Sequence, residues 1–452
     1  MKTPIADFCR QYADGQTIRF HMPGHKGQGP LGVEALDLTE VRGADSLYEA
    51  EGIIAESEAG AASLFGTRAT FYSCGGSSES IKAMCLLAVR QYAKTHSGRA
   101  VLLAGRNAHK SFVGASQLIG FDIRWLSSEE EDYALCRCTI TPTGLEQALS
   151  AMKQGEGLPA AVFVTSPDYL GNVLDIAGLA KVAHSYAVPL LVDNAHGAYL
   201  KFLPEDRHPI TLGADACADS AHKTLPVLTG GAYLHIGANA PEGFEETARE
   251  AMGLFGSTSP SYLVLQSLDL CNDWLEKTAH SAFAETLERV EAVRDQMKEK
   301  SLALSGEESL KITFDAPGSG LGTGTELAER FRSVGIECEY ADRDFVVFMF
   351  SPFNRGEDFD ALARAVRALE PGERTETARR STALPEAVLQ PYEVLSVPAE
   401  EVPVENALGR VAALVRIGCP PAVLPVVPGE RVDKNVIEIL RSCGIGTLNV
   451  IK

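Results

Sequence analysis

The chain has 452 residues, 45% of them hydrophobic, enough for a large core and, by length, for two or three domains. A formal net charge of −19 argues against nucleic acid and anionic membranes as partners and favours small cations. No 18-residue apolar run or export leader occurs, and the ten cysteines are scattered without a CxxC pair; this points to free thiols in a reducing cytoplasm and gives no metal-site spacing.

Residues 1–50 read as an N-terminal arm, with loop formers in Phe20-His21-Met22-Pro23-Gly24-His25-Lys26. From 51 to 295 strand-like runs alternate with helical ones. Ala100–Ala104, Asp122–Leu126, Ala160–Thr165 and Pro189–Asp193 are the clearest strands, and Ile81–Tyr92 and Asp175–Ala187 read as helices. That alternation predicts an α/β large domain, a mainly parallel sheet covered by helices on both faces. Residues 262–300 predict one or two long helices. Residues 296–452 change to short strands (Leu310–Asp315, Cys338–Tyr340, Phe345–Phe350) and a helix over Asp358–Leu369, which predicts a smaller α+β C-terminal domain. The charged, poorly patterned run Pro371–Ala383 reads as a linker within it.

Three strand ends carry polar clusters. Asp193 closes the run Val188–Asp193, and thirty residues later comes Ser220-Ala221-His222-Lys223. A pyridine-type cofactor held as a Schiff base needs a lysine amine for its carbonyl carbon and an acid facing its ring nitrogen, so that the ring can absorb electrons. Lys223 and Asp193 supply that pair from one sheet edge. Gly75-Gly76-Ser77-Ser78-Glu79-Ser80 opens a helix and reads either as a phosphate cradle or as a glycine turn with a serine cap. Neither GxGxxG nor GxxxxGK[ST] is present, which removes the main support for dinucleotide and P-loop readings. Arg106-Asn107-Ala108-His109 follows another strand, where His109 is placed either to stack on a flat ring or to lie in a surface loop. Asp193-Asn194-Ala195-His196 adds a further histidine.

Taken in order, Phe20–Lys26, Thr39-Glu40 with Gly43–Leu47, Gly76–Ser78, Arg106–Ser111, Asp193–Gly197 and Ser220–Lys223 resemble the bacterial ornithine/lysine/arginine decarboxylase family. The likeness runs from about residue 18 to the C-terminus and includes Asn406–Arg410 and Val427–Arg431. It implies a pyridoxal 5′-phosphate (PLP) enzyme of the aspartate-aminotransferase fold, fold type I, that decarboxylates a basic L-amino acid to a polyamine-type amine, with arginine or lysine ahead of ornithine. Carried over by position, Lys223 anchors the cofactor, Asp193 pairs with the ring nitrogen and His109 stacks on the ring. Gly76, Ser77, Ser78 and Ser220 hold the phosphate. His196 lies near the ring hydroxyl or the substrate carboxylate, and His222 handles protons near Cα. Thr258 or Ser259 resembles the segment that reaches the neighbouring subunit's phosphate, which implies at least a homodimer with active sites at the interface.

Two departures qualify the likeness. The chain begins almost directly at the arm, which resembles the short group without an N-terminal wing. Cys419-Pro420-Pro421-Ala422-Val423-Leu424-Pro425 replaces an aromatic-Pro-Pro-Gly run, leaving side-chain preference open. A long cationic substrate needs a distal carboxylate, for which Glu40, Asp45 and Glu430 are candidates, each of which also reads as a surface acid. The competing expectations are another PLP reaction on the same fold and a non-catalytic PLP-binding partner protein.

Overall fold

A computed structural model of the chain describes residues 1–15, 17–129, 134–375 and 383–452. Fourteen strands are found among them. β1 (Ala69–Ser73), β2 (Val101–Gly105), β3 (Asp122–Leu126), β4 (Ala161–Thr165), β5 (Leu190–Asp193), β6 (Ala216–Asp219) and β7 (Ala232–Ile236) form a seven-stranded sheet in the order β1-β7-β6-β5-β4-β2-β3. β5 and β6 run parallel, as do β2 and β3, whereas β7 is antiparallel to both β1 and β6. The sequence-read strands fall within a residue or two of these elements.

The described chain divides into two compact units. The first comprises Met1–Gly98, Ala160–Val162 and Ile176–Ala282. Within it the helix Ser77–Ala93 packs against β5, β6 and β7, and the helix Ile53–Phe65 against β1. The helix expected over Ile81–Tyr92 starts four residues earlier, because Gly76, at φ +70° and ψ −178°, turns the chain directly into Ser77. Few side chains tolerate that backbone. Ile53–Phe65 opens on a loop whose Asp45 carboxylate accepts from Gly52 N at 2.8 Å, Ile54 N at 3.0 Å, and Ser46 N and Glu51 N at 3.1 and 3.2 Å. That carboxylate satisfies the helix's unpaired N–H groups, and an acid there also suits the dipole. At the other end Phe65 is fully buried against Phe202, His208, Tyr233 and His235, contributing about 2–3 kcal/mol.

The second unit comprises Arg99–Pro159, Phe163–Asp175 and Phe283–Lys452. Phe112 stacks on Phe163 with ring centroids 4.3 Å apart. β8 (Leu304–Ser305), β9 (Lys311–Asp315), β10 (Tyr340–Ala341) and β11 (Phe345–Met349) pair antiparallel in the order β10-β11-β9-β8. The strand expected over Cys338–Tyr340 is therefore the two-residue β10, and the expected helix 358–369 runs Gly356–Ala368, begun by the Asp358 carboxylate accepting from Arg355 N at 2.8 Å. A last antiparallel sheet, β12 (Ala399–Pro403), β14 (Thr447–Ile451) and β13 (Ala412–Leu414), backs a core of Val404, Ala412, Val432, Leu440, Leu448 and Val450. Within the linker read at Pro371–Ala383, residues 376–382 lie outside the described residues.

Candidate active site

The first unit places five of the residues singled out in the sequence, Asp193, His196, Ser220, His222 and Lys223, at the ends of β5 and β6. Asp193 is the last residue of β5 and 2% exposed. The next residue, Asn194, donates its backbone N–H to Ala218 at 3.0 Å, and Gly197 N closes a turn on Asn194 O at 2.8 Å. That turn carries His196 back toward the β6 end. There Ser220 precedes a single helical turn, Ala221–Thr224, closed by Lys223 N on Ser220 O at 3.0 Å. Lys223 Nζ lies 2.9 Å from His196 Nε2.

Burial dominates the electrostatics of Asp193 and pushes its carboxyl up to about 6; the Lys223 charge and the Ala195 N–H, 3.2 Å from Oδ1, hold it back from rising further. A buried carboxylate facing one cation and one amide retains acceptor capacity. It suits a further positive N–H, such as that of a protonated ring nitrogen.

The residues expected to hold a phosphate are also placed locally. Ser77 and Ser78 begin a 17-residue helix, Gly76 carries the left-handed φ just before it, and Ser220 Oγ donates to Ser77 Oγ at 2.8 Å. The His222 ring stands beside the cradle, its Cε1 3.9 Å from where a Cβ on Gly76 would be. His222 Nδ1 meets Gly231 O at 3.0 Å, so Nδ1 holds the proton and Nε2 the lone pair. Burial, aided by the Lys223 charge, lowers the His222 pKa, keeping the ring neutral near pH 7. An amine, a buried acid, and a helix N-terminus with hydroxyls are what a phosphorylated pyridine aldehyde requires, so the residues present fit PLP.

Thr258 and Ser259 are not drawn into this cluster. Both are exposed, and Ser259 N bonds locally to Ser257 Oγ at 3.2 Å. His109 belongs to the second unit, where it caps the helix Lys110–Ile119 through Nδ1, accepting from Ser111 N at 3.1 Å. Its backbone bridges Val423, within the altered 419–425 run.

The distal-carboxylate candidates turn out differently from one another. Asp45 is committed to the helix start described above. Glu430 is neither solvated nor open: it is 2% exposed, lies 3.0 Å from the Arg106 guanidinium and accepts from Val427 N at 2.6 Å. Glu40 is exposed and bonded by its neighbour Thr39.

Two features escaped the sequence reading. Glu79, in the first turn of the cradle helix, is buried and accepts from Ser73 Oγ at 2.7 Å, Tyr48 Oη at 2.9 Å and Gly75 N at 3.1 Å, which shapes the loop from inside. Asp219 is fully buried among His208, His235, Cys217 and Asn194. A histidine in the otherwise apolar strand Ala232–Ile236 was the available signal for the second.

Comparison with known proteins identifies the family. The Orn/Lys/Arg decarboxylase major domain matches residues 3–317 and the C-terminal domain of the same family matches 367–444. The arginine decarboxylase of Bacillus subtilis is 28% identical over 480 residues, covering 98% of this chain and 94% of that protein. Among solved structures, the lysine decarboxylase of Francisella novicida superposes with a TM-score of 0.81 at 16% identity, over 100% of this chain and 81% of the other. The constitutive lysine decarboxylase of E. coli gives 0.78 at 19% identity, over 100% and 82%. The chain therefore belongs to the Orn/Lys/Arg decarboxylase family and is a PLP-dependent amino-acid decarboxylase of fold type I.

Proposed function

We propose that the chain removes the α-carboxylate of arginine, with lysine next and ornithine last, in the cytoplasm, as a step toward polyamines. The observation that carries the site reading is the convergence of Lys223, His196 and Asp193 at the ends of β5 and β6. The full-length similarity to an arginine decarboxylase supports arginine as the first substrate to test.

In this reading Lys223 holds the cofactor through its amine, and Asp193 fixes the proton on the ring nitrogen. Gly76, Ser77, Ser78 and Ser220 bind the phosphate. When bound, PLP supplies a protonated ring that takes up the electron pair left behind by CO₂. His196 orients the ring hydroxyl or the substrate carboxylate. A site that solvates that carboxylate poorly and holds it perpendicular to the ring favours its departure. Reprotonation at Cα then falls to Lys223, because His222, held neutral with Nδ1 bound to Gly231 O, is the poorer acid. Thr258 or Ser259 reaches the phosphate of a second copy, making the working unit a homodimer, and the functional division is an arm (1–50), a large domain (51–295) and a small domain (296–452). With Asp45 and Glu430 committed elsewhere, Glu40 is the early-loop acid to test against the substrate side chain.

Incubating the PLP-loaded protein with a panel of amino acids and identifying products by mass spectrometry tests the proposal. Agmatine from arginine is the expected product. Release of keto acids, or turnover of a small neutral amino acid with none of arginine, lysine or ornithine, would overturn it.

A further inference from the structure

We propose that Asp219 is a positioning residue of this site: its buried carboxylate fastens the turn carrying Asp193 to the turn carrying Ser220 and Lys223. The inference rests on the reading of those residues as the cofactor-holding set.

Asp219 is the last residue of β6, directly before Ser220, and it is fully buried. Its Oδ1 accepts from Asn194 Nδ2 at 2.7 Å and from the Cys217 thiol at 3.6 Å. Asn194 directly follows Asp193. One carboxylate thus spans from the residue after the ring-facing acid to the residue before the phosphate-binding serine, beside the backbone bond Asn194 N to Ala218 O. Its Oδ2 meets His208 Nε2 at 2.9 Å and lies 3.3 Å from His235 Nε2. His235 is held in turn by Thr70, whose Oγ1 is 2.8 Å from Nδ1, and Thr70 by Thr67 at 2.8 Å. The clamp is therefore anchored in β1 and β7 as well as β6.

Core packing alone does not account for it. A carboxylate shut away from water costs several kcal/mol unless every lone pair is served, and an apolar side chain would fill the same space more cheaply. What a carboxylate adds is direction, because its acceptor positions fix where Asn194 stands. His208, Cys217 and Asp219 offer ligand atoms within 4.8 Å of one another, which raises metal binding as an alternative. The carboxylate's spacings to His208 and Asn194 are those of N–H···O bonds, and a metal ion would have to displace them.

The test uses the PLP-loaded protein with Asn194→Ala and Asp219→Asn, singly and together. It measures PLP dissociation by equilibrium dialysis, the absorption band of bound cofactor, and the unfolding midpoint of the cofactor-free protein. Asn194→Ala removes one charge-assisted bond and leaves the buried acid with its histidines, so cofactor should be held ~10-fold more weakly and with a displaced band, beyond what a modest fall in the midpoint accounts for. Asp219→Asn should weaken binding further, and the double variant should be no worse than Asp219→Asn. Wild-type PLP affinity and band in Asn194→Ala would overturn the proposal. So would losses of affinity that merely track losses in unfolding midpoint, or stoichiometric zinc in the purified protein that disappears with Asp219→Asn. If the wild-type chain takes up no PLP at all, the cofactor reading fails first.

Discussion

Asp193 and Asp219 close neighbouring parallel strands, and both are shut away from solvent, yet they hold their protons oppositely. Asp219 faces two imidazoles and an amide, and His208 and His235 keep its carboxyl well below the usual range against the cost of burial. Asp193 has one amide and the Lys223 charge, and burial wins, lifting it to about 6. The difference lies in the donors, not in depth. Asp219 has spent its acceptor capacity within the protein, whereas Asp193 has kept some in reserve. Reserve of that kind costs stability until something fills it, which is how a binding site differs from a strut.

The variants that would break or sharpen this contrast differ in size. Lys223→Ala removes both the proposed cofactor anchor and the cation facing Asp193. Turnover should drop by a thousandfold or more, roughly 4 kcal/mol of transition-state stabilisation, while far-UV circular dichroism stays native. Borohydride reduction and peptide mapping of the wild type should find the pyridoxyl group on Lys223, and finding it on another lysine would refute the assignment.

Asp193→Asn should lower kcat/KM by ~100-fold, about 3 kcal/mol. In the cofactor-free protein its effect on stability should have the opposite sign. Burial raises the folded carboxyl to about 6 from its ordinary 3.8, so its ionic penalty is absent below about pH 4, grows as pH rises through that window, and is complete above pH 6. The apo variant should therefore melt no lower than wild type at pH 8, with the gap closing toward pH 4. A clear loss of apo stability at pH 8 would mean that Asp193 is a strut like its neighbour.

Glu430→Gln addresses a third buried acid, one matched by Arg106 and Val427 N. Leaving the guanidinium short of its partner should cost about 2–3 kcal/mol in urea unfolding. Ser77→Ala has the smallest expected effect, ~10-fold in PLP affinity with no change in apo melting, since a single hydroxyl of the cradle is lost.

The parts of this site legible in the sequence are those that lie next to one another along it. The runs around Asp193 and Lys223, the Gly76–Ser78 turn and the four best-marked strands could be read because strand ends, glycines and short polar clusters are local signals. The fate of an acid is not local. Glu430 reads as a surface residue until Arg106, from the far side of the sequence, is seen beside it. Asp45 reads as a candidate for substrate until the amides of Gly52 and Ile54 claim it. Asp219 was passed over for the same reason: its partners come from a loop, from β7 and from the turn after β5, and only folding brings them to one point.

The edge of the sheet in the first unit carries a consequence for how the chain is made. β1 finds its hydrogen-bonding partner in β7, with Ala69 opposite Ile236 and Ser73 opposite Ala232. On the ribosome, β1 emerges long before that partner has been translated. Phe71 and Tyr72, which end almost completely buried, must wait with an unpaired backbone beside them. Loop closure over such a span makes productive pairing slow, and a nascent chain halted before residue 232 would be a substrate for chaperones and prone to aggregate.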